Sequence, residues 1–216
     1  CADKEFFYEL LNKMTITVTD LFRNPSFYSA VRKLVFPYLR GHPSFKIWHA
    51  GCSSGEELIS MAIMLYEDGL LDSSVLYGTD INPQALRKAN AGIVATESIK
   101  KASAFYQQAG GKYSLTDYFH VNHGYGLFTK SKERNIVFAV HNLASDQSFG
   151  EMHMVLCRNV LIYFNEQLQN STLHLITESL VSGGYLCLGM QETLMFSEAS
   201  RYYDVVDKKH KIYRKI

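Results

Sequence analysis

The residues best suited to chemistry form a glycine-bounded corner followed by acids. An apolar run, Lys46-Ile-Trp-His-Ala50, leads into Gly51-Cys-Ser-Ser-Gly55, and Glu56 and Glu57 follow at once. Glycines at such a corner let the backbone approach a small molecule closely, which indicates a strand–loop–helix turn at a ligand site. The loop has neither the G-x-G-x-x-G spacing of dinucleotide sites nor the Gly-Lys-Ser/Thr ending of a phosphate-binding loop.

The two acids at the start of the following helix favour a ligand that carries positive charge rather than phosphate. S-adenosylmethionine fits this pattern, since it has a sulfonium, an ammonium group and a ribose but no phosphate. Acids in the first turn of a helix are also favoured by the helix dipole alone. Taken by itself, the loop therefore leaves a purely structural turn open.

A further acid ends the next apolar run, Val75-Leu-Tyr-Gly-Thr79, at Asp80. In nucleotide-binding α/β sheets, an acid at this place accepts hydrogen bonds from the ribose hydroxyls. Asp80 could instead cap the helix that follows, but Asn82 is itself a good cap and Pro83 suits a first helical turn. We therefore expect Asp80 to be free to accept the two hydroxyls.

Two more candidates follow later apolar runs. Asn142 and Leu143 end the run at 135–143, on the same edge of the predicted sheet, where they could offer an amide and an apolar face to an adenine ring. A strand-terminal Asn taken alone is more typical of a turn. Arg158 and Asn159 interrupt an apolar stretch, and burying them without partners would be costly. We expect a bend that faces the cleft, the alternative being that Arg158 simply leaves the core.

These residues need an α/β scaffold, and the apolar patterns predict one. Helices are predicted at 2–13, 26–40, 56–67, 82–92 and 165–181, and strands at 46–50, 75–78, 135–143, 152–157 and 185–189, with a terminal hairpin at 202–206 and 210–214. Alternating strands and helices are typical of a mostly parallel sheet covered on both faces. The weak, aromatic pattern of 93–131 predicts a small irregular element with short strands outside the core.

Composition limits the classes of protein. The 216 residues are 47% hydrophobic and 20% charged, which is typical of one folded domain with a small appendage. The net charge of +1 gives no electrostatic case for nucleic acid or an acidic membrane surface. No apolar run approaches the roughly 20 residues that cross a bilayer, and the first residues lack the basic start and apolar stretch of a signal peptide. Four cysteines without paired spacing indicate reduced thiols, so we predict a cytoplasmic protein.

Taken together, these motifs resemble the CheR family, the S-adenosylmethionine-dependent methyltransferases of bacterial chemotaxis receptors. The string Cys157-Arg-Asn-Val-Leu-Ile-Tyr-Phe164 carries most of the resemblance, because it is far more specific than the glycine loop. The other matching segments occur in order along the chain: Thr19-Asp-Leu-Phe-Arg23, Ile47-Trp-His-Ala-Gly-Cys-Ser-Ser-Gly-Glu-Glu57, Gly78-Thr-Asp-Ile81, Asn142-Leu143, Gly183-Gly-Tyr-Leu-Cys-Leu-Gly189 and Lys211-Ile-Tyr-Arg214.

The resemblance implies a Rossmann-like methyltransferase domain over 46–216 with a C-terminal antiparallel hairpin. It also implies a small inserted β-subdomain at about 93–134 and an N-terminal helical segment and lid over 1–45. Arg23 and Tyr163 would be catalytic, flanking the methyl group and the incoming carboxylate, and no metal is implied. The implied cofactor-binding residues are Thr17, Thr19, Arg23, Gly51, Glu57, Asp80, Asn142, Leu143, and Cys157 with Arg158 through their backbone region.

Family members form glutamyl methyl esters on receptor helices. The resemblance therefore implies a monomeric protein-glutamate O-methyltransferase acting on chemotaxis receptors or a related signalling protein, with S-adenosylhomocysteine as product. It implies no nucleic-acid partner and no membrane insertion. A different protein or small-molecule carboxylate as acceptor, and a catalytically silent S-adenosylmethionine-binding module, remain open. A nicotinamide-dependent enzyme is disfavoured by the glycine spacing.

Three departures from the family pattern bear on these expectations. Thr17 stands where the family commonly has Asn, so a different side chain would make this cofactor contact. The familiar Ser-Thr-Gly-Glu-Glu-Pro-Tyr-Ser is Ser-Ser-Gly-Glu-Glu-Leu-Ile-Ser at 53–60, which alters the helix start but keeps both acids. Only 16 residues precede Thr17, too few for the family's N-terminal helical domain. We expect a trimmed chain or a domain of a larger signalling protein.

Overall fold

The computed structural model describes residues 19–129 and 135–216, which contain two β-sheets. The strands are β1 Phe45–Ala50, β2 Ser74–Asp80, β3 Ile93–Ala95, β4 Phe119–Asn122, β5 Tyr125–Phe128, β6 Ile136–Val140, β7 Met152–Cys157, β8 Leu180–Leu188, β9 Tyr203–Asp207 and β10 Ile212–Lys215. The larger sheet has the order β6-β2-β1-β7-β8-β10-β9. Its first five strands pair in parallel, and β10 pairs antiparallel with β8 and β9, which confirms the predicted fold class.

Six α-helices accompany the strands, and their starts follow local sequence signals. Within the part of the chain that the structure describes, these six are α1 Pro25–Leu34, α2 Phe36–Arg40, α3 Glu56–Glu67, α4 Pro83–Ala91, α5 Thr96–Gln108 and α6 Glu166–Ser179. Asn82 Oδ1 accepts the N–H of Gln84 at 2.9 Å and so caps α4, while Asn165 Oδ1 accepts the N–H of Leu168 at 2.9 Å and caps α6. The first cap confirms the sequence prediction for Asn82, and the second fits the helix start predicted at residue 165.

Both faces of the larger sheet are buried. Successive residues of β7 divide between two hydrophobic clusters, with Met154 and Leu156 in one and Val155 and Cys157 in the other. Because side chains alternate across a strand, a sheet buried on both sides reads as a continuous apolar run. Helices α1 and α3 contribute to the first cluster and α6 to the second.

The predicted element at 93–131 is more ordered than expected. Strands β3, β5 and β4 form an antiparallel three-stranded sheet beside α5, a 13-residue helix that the sequence analysis missed. The expectation that this segment lies outside the core was wrong, because Ile99, Tyr106 and Tyr118 belong to the main hydrophobic cluster. Ile99, Ala102 and Tyr106 follow helical spacing, but the polar residues between them weaken the pattern.

Two predicted helix boundaries were also wrong. The helix predicted at 26–40 is broken at Val35, because Pro37 lacks the backbone N–H that a continuous helix would use. Helix α6 ends at Ser179 rather than near residue 181, since Leu180 already begins β8. The helix predicted at 2–13 lies outside the described residues. The divisions at 1–45, 46–216 and 93–134 stay predictions.

The order of strands creates a crevice. The chain proceeds from β1 to β2 and β6 on one side, whereas β7 and β8 lie on the other side of β1. In open α/β sheets, ligands bind outside the carboxyl ends of the strands at this reversal. Cys52, Cys157 and Cys187 are buried free thiols. No helix within 19–129 or 135–216 is long and apolar enough to span a bilayer.

Candidate cofactor and catalytic site

A cavity of about 560 Å³ lies at the carboxyl ends of β1, β2, β6 and β7. This volume is within the range of small-molecule sites. The segment before α1, the glycine corner after β1, the end of β2 and the loops after β6 and β7 all contribute to its wall. The lining residues are Thr19, Asp20, Arg23, Tyr28, Gly51, Cys52, Ser53, Glu57, Asp80, Ile81, His141, Asn142, Leu143, Ala144, Arg158, Asn159, Val160, Ile162, Tyr163 and Phe164.

The glycine corner is shaped by close backbone contacts. The N–H groups of Gly51 and Cys52 both donate to the Thr79 carbonyl at 2.8 Å, which ties the corner to β2. Gly51 has φ 75°, and a Cβ built there would lie 2.6 Å from Cγ2 of Val160. Any larger residue would therefore be strained and would push against the loop after β7.

Asp80 holds the same corner from the other side. Its Oδ2 accepts the N–H of Ser53 at 2.9 Å and its Oδ1 accepts the N–H of Asn82 at 2.9 Å. Both oxygens thus accept backbone hydrogen bonds, but each keeps a further lone pair, so acceptance of the ribose hydroxyls stays a prediction. Asp80 can thus fix the loop and still accept a ribose hydroxyl.

Glu57 and Arg158 form an ion pair in the cavity wall. Arg158 Nη1 donates to Glu57 Oε2 at 2.8 Å, and His49 Nδ1 donates to Glu57 Oε1 at 3.0 Å. Burial raises the pKa of the Glu57 carboxyl, but the guanidinium and the histidine outweigh it, so the pKa lies below its usual value. Glu57 is therefore a stable anion inside the cavity.

Arg158 is held in place by three partners. Besides Glu57, its Nη2 donates to Asn24 Oδ1 at 3.1 Å, and its Cζ lies 3.9 Å from the centre of the Phe27 ring. Only 7% of Arg158 is exposed. The alternative that this arginine simply leaves the core does not hold, and the polar pair at 158–159 faces the cleft as expected.

The loop after β7 carries residues to the mouth of the cavity. Asn159 has φ 61°, a left-handed conformation that is uncommon for a non-glycine residue. Tyr163 lies at the mouth with 57% of its surface exposed. Arg23, in the segment before α1, also lines the cavity and is exposed. The cavity thus has a charged interior and an accessible rim.

In the loop after β6, Asn142 both builds a turn and lines the cavity. Its Oδ1 accepts the N–H of Ala144 at 3.0 Å, and its own N–H donates to Asp146 Oδ2 at 2.8 Å, so Asn142 does build a turn. It also lines the cavity next to the apolar side chain of Leu143. His141 lies behind them, packed edge-on against the Trp48 ring at 5.3 Å.

Most of the sequence-predicted residues meet in this cavity, namely Thr19, Arg23, Gly51, Glu57, Asp80, Asn142, Leu143, Arg158 and Tyr163. Cys157 does not line it, because its side chain is fully buried in the core. Thr17 lies outside the described residues. Sequence reasoning missed Ser53, Val160 and Ile162, which are chain neighbours of predicted residues. It also missed Tyr28, which belongs to no recognisable motif and lines the cavity only because of how α1 packs in the fold.

The cavity suits a nucleoside that carries positive charge. Glu57 and Asp80 place two carboxylates in its wall, and Leu143 and Val160 add apolar surface. The buried Oγ of Ser53 has no hydrogen-bond partner within 19–129 and 135–216, so a polar ligand group can satisfy it. A sulfonium, an ammonium group and a ribose match these donors and acceptors.

A sheet of this order, with a glycine corner after β1 and an acid ending β2, defines a Rossmann-like nucleoside-binding domain. The family described as CheR methyltransferase, SAM binding domain, matches residues 17–212. The chain therefore belongs to the CheR methyltransferase family, and S-adenosylmethionine is its cofactor.

Two relatives in sequence agree with this assignment. A Pseudomonas putida protein named as a methyltransferase, Cher3, is 44% identical over 213 residues, covering 99% of this chain and 78% of its own length. A chemotaxis protein methyltransferase of Listeria monocytogenes is 29% identical, covering 87% of this chain and 69% of its own. Among solved structures, magnesium protoporphyrin IX methyltransferase of Synechocystis with bound S-adenosylmethionine matches at 16% identity and a TM-score of 0.44, over 88% of this chain and 77% of that one. The family assignment rests on the sequence matches.

Proposed function

We propose that this protein transfers a methyl group to glutamate carboxylates of chemotaxis receptors or a related signalling protein, as a monomer in the cytoplasm. The observation that carries the proposal is the pairing of an anionic interior at Glu57 with Arg23 and Tyr163 at an open mouth. Relatives named chemotaxis protein methyltransferase support the choice of acceptor.

The side chains present suit methyl transfer to a carboxylate. The bound cofactor supplies an electrophilic methyl group on a sulfonium, so the acceptor carboxylate needs no strong general base. Arg23 can orient that carboxylate by charge-assisted hydrogen bonds. The Tyr163 hydroxyl can hold the donor end, and the Glu57–Arg158 pair presents a fixed electrostatic wall. The contribution of these residues is positioning and exclusion of water.

The rim of the cavity favours a macromolecular acceptor over a small molecule. Ile162 and Tyr163 are exposed at the mouth, and Met195 and Phe196 are exposed on the loop after β8. This second loop is tied to the first by hydrogen bonds from the backbone at 159–161 to Glu192. Exposed apolar side chains grouped around a polar site are typical of a protein-binding surface.

The test combines binding and turnover. We expect calorimetry to show S-adenosylmethionine binding, and receptor helical fragments to acquire base-labile methyl groups that disappear when their glutamates are replaced by alanine. Arg23→Ala and Tyr163→Phe should each lower kcat by about tenfold or more, since each removes an interaction that positions the reacting groups. Lys100→Ala, an exposed change on α5, serves as the control.

Two results would contradict the proposal. Cofactor binding without methyl transfer to any receptor glutamate would overturn the acceptor, while leaving the family assignment intact. Unchanged turnover in both Arg23→Ala and Tyr163→Phe, with normal cofactor binding, would overturn the roles given to these two residues.

A further inference from the structure

Glu192 is a buried acid that lies outside the cavity wall and accepts four backbone hydrogen bonds. It is 4% exposed and follows β8 by four residues. Its Oε1 accepts the N–H groups of Val160 and Leu161 at 2.8 Å each, and its Oε2 accepts those of Asn159 at 3.0 Å and of Gly189. Among the described residues, no lysine, arginine or histidine forms a salt bridge with it.

The three successive N–H groups at 159–161 form a concave anion site of the kind that binds phosphate or carboxylate in other proteins. Asn159 makes this possible through its left-handed φ of 61°, which turns the backbone donors to one side. Gly189 allows the approach, since a Cβ there would lie 2.6 Å from Glu192 Oε2 and 2.8 Å from the Asn159 nitrogen. The chain therefore fills the anion site with its own carboxylate.

The filled site fixes the loop that completes the cofactor cavity. Residues 158–164 include Arg158 and Val160, and the Val160 side chain packs against Gly51 of the glycine corner. Without a carboxylate, the four N–H groups would lose their partner, which strongly disfavours the observed loop conformation. The conformation of Asn159 is also one that persists only where its surroundings enforce it.

We propose that Glu192 is a positioning residue for cofactor binding, whose carboxylate occupies a backbone anion site and thereby holds loop 158–164 in its cavity-lining conformation. The competing explanation is that apolar packing of Leu161 and Leu194 holds the loop and that Glu192 only adds stability. The proposal concerns the cofactor and is independent of the acceptor.

Removing the side chain while supplying a small anion distinguishes these explanations. Glu192→Ala should weaken binding of S-adenosylhomocysteine, measured by calorimetry, by about tenfold or more, as losses of supporting residues around a bound group commonly do. Sodium formate at tens of millimolar should restore a large part of the affinity, because formate can enter the vacated anion site. Sodium chloride at equal ionic strength and neutral formamide should not. Wild-type affinity in Glu192→Ala, or a loss that formate does not reverse, would overturn the proposal.

A second variant covers the case in which Glu192→Ala does not fold. Glu192→Gln keeps the shape of the side chain but replaces one accepting oxygen with an N–H₂ group that faces backbone donors. We expect weaker cofactor binding that formate does not change, because the anion site stays filled, and a Tm below that of the wild type, because two backbone donors then face an N–H₂ group. Wild-type affinity in Glu192→Gln would overturn the proposal. Glu198→Gln, an exposed acid nearby, is the matched control and should bind as the wild type does.

Discussion

The Arg158 guanidinium contacts the Glu57 carboxylate at 2.8 Å and the Phe27 ring at 3.9 Å, so its charge is both paired and covered. Glu57 in turn also accepts a hydrogen bond from His49. Breaking a buried ion pair on one side leaves the other charge without compensation, which costs more than the pair itself contributes. At the level of single residues, Glu57 therefore gives the cavity a negative charge and also stabilises the wall by pairing with Arg158.

The neighbouring acids Glu56 and Glu57 should respond differently to loss of charge. Glu57→Gln should weaken S-adenosylmethionine binding by about tenfold or more and lower the free energy of unfolding by up to about 3 kcal/mol. Burial raises the pKa of Glu56, whose carboxylate is hydrogen-bonded to Ser54, so its charged form is disfavoured in the folded protein. Glu56→Gln should therefore leave stability at neutral pH unchanged or slightly increased.

Calorimetry with the cofactor and urea denaturation at pH 7 measure the two effects. The expected pattern is a loss of both affinity and stability in Glu57→Gln and of neither in Glu56→Gln. If both variants lost affinity equally, the general negative charge of the helix start, and not the specific pair with Arg158, would govern binding.

At the level of elements, two asparagine caps allow a direct comparison. Asn82 caps α4, and its N–H also donates to Asp80, whereas Asn165 caps α6 and does not itself line the cavity, although its neighbour Phe164 does. Replacing either by alanine should lower the free energy of unfolding by about 1 kcal/mol, as the loss of an N-cap typically does. Only Asn82→Ala should also weaken cofactor binding, since a disturbed α4 start alters the position of Asp80.

Chemical denaturation and calorimetry on the two cap variants test this difference. Similar losses of stability with different affinities would support a coupling between the α4 start and the ribose-binding acid. Equal affinity in both variants would show that Asp80 keeps its position without the cap, held by the backbone N–H groups of Ser53 and residue 82.

The elements that the sequence predicted best are those whose signals are local. The bounds of α3, 56–67, and of β7, 152–157, were predicted correctly because acids at a helix start and a nearly continuous apolar run are complete within the segment itself. The roles of Asp80 and Glu192 could not be predicted in the same way. Asp80 accepts the N–H of Ser53, 27 positions earlier, and Glu192 accepts N–H groups more than 30 positions away. Such contacts depend on how loops meet after folding.

Helix α5 was also missed because its position depends on contacts between residues that are distant in sequence. Its helical pattern is weak, and what decides its place is the packing of Tyr106 against Phe22, whose rings lie 5.1 Å apart, edge to face. The family resemblance carried much of the candidate site, because loop motifs indicate residues that contact a ligand even where local patterns predict no structure. Tyr28 belongs to no such motif, and only the position of α1 brings it to the cavity.

At the level of the whole molecule, a polar cluster joins the small sheet to the larger one. Glu67, at the end of α3, has no exposed side-chain surface. Its carboxylate accepts hydrogen bonds from Arg32 at 2.6 Å, from Tyr118 at 2.7 Å, from the N–H of Lys112 at 3.1 Å and from Tyr106. One carboxylate thus connects α1 and α3 with the segment that carries β3, β4 and β5.

Loss of this carboxylate should destabilise the protein without changing the cofactor site. Glu67→Ala should lower the free energy of unfolding by about 3 to 5 kcal/mol, because buried hydroxyls and part of the Arg32 charge lose their partner. Glu67 lies ten residues from Glu57 along α3, or about 15 Å at the helical rise. Binding of S-adenosylmethionine at temperatures where the variant is folded should therefore change by less than about twofold.

Urea denaturation and calorimetry measure these two quantities separately. Glu97→Gln is the matched control, because its ion pair with Lys101 is exposed and 3.9 Å long, and such pairs contribute little to stability. If Glu67→Ala were as stable as the control, the small sheet would be held by apolar packing alone. If its cofactor affinity fell together with its stability, the position of the small sheet would be coupled to the cavity through α3, and the two parts of the molecule would not act independently.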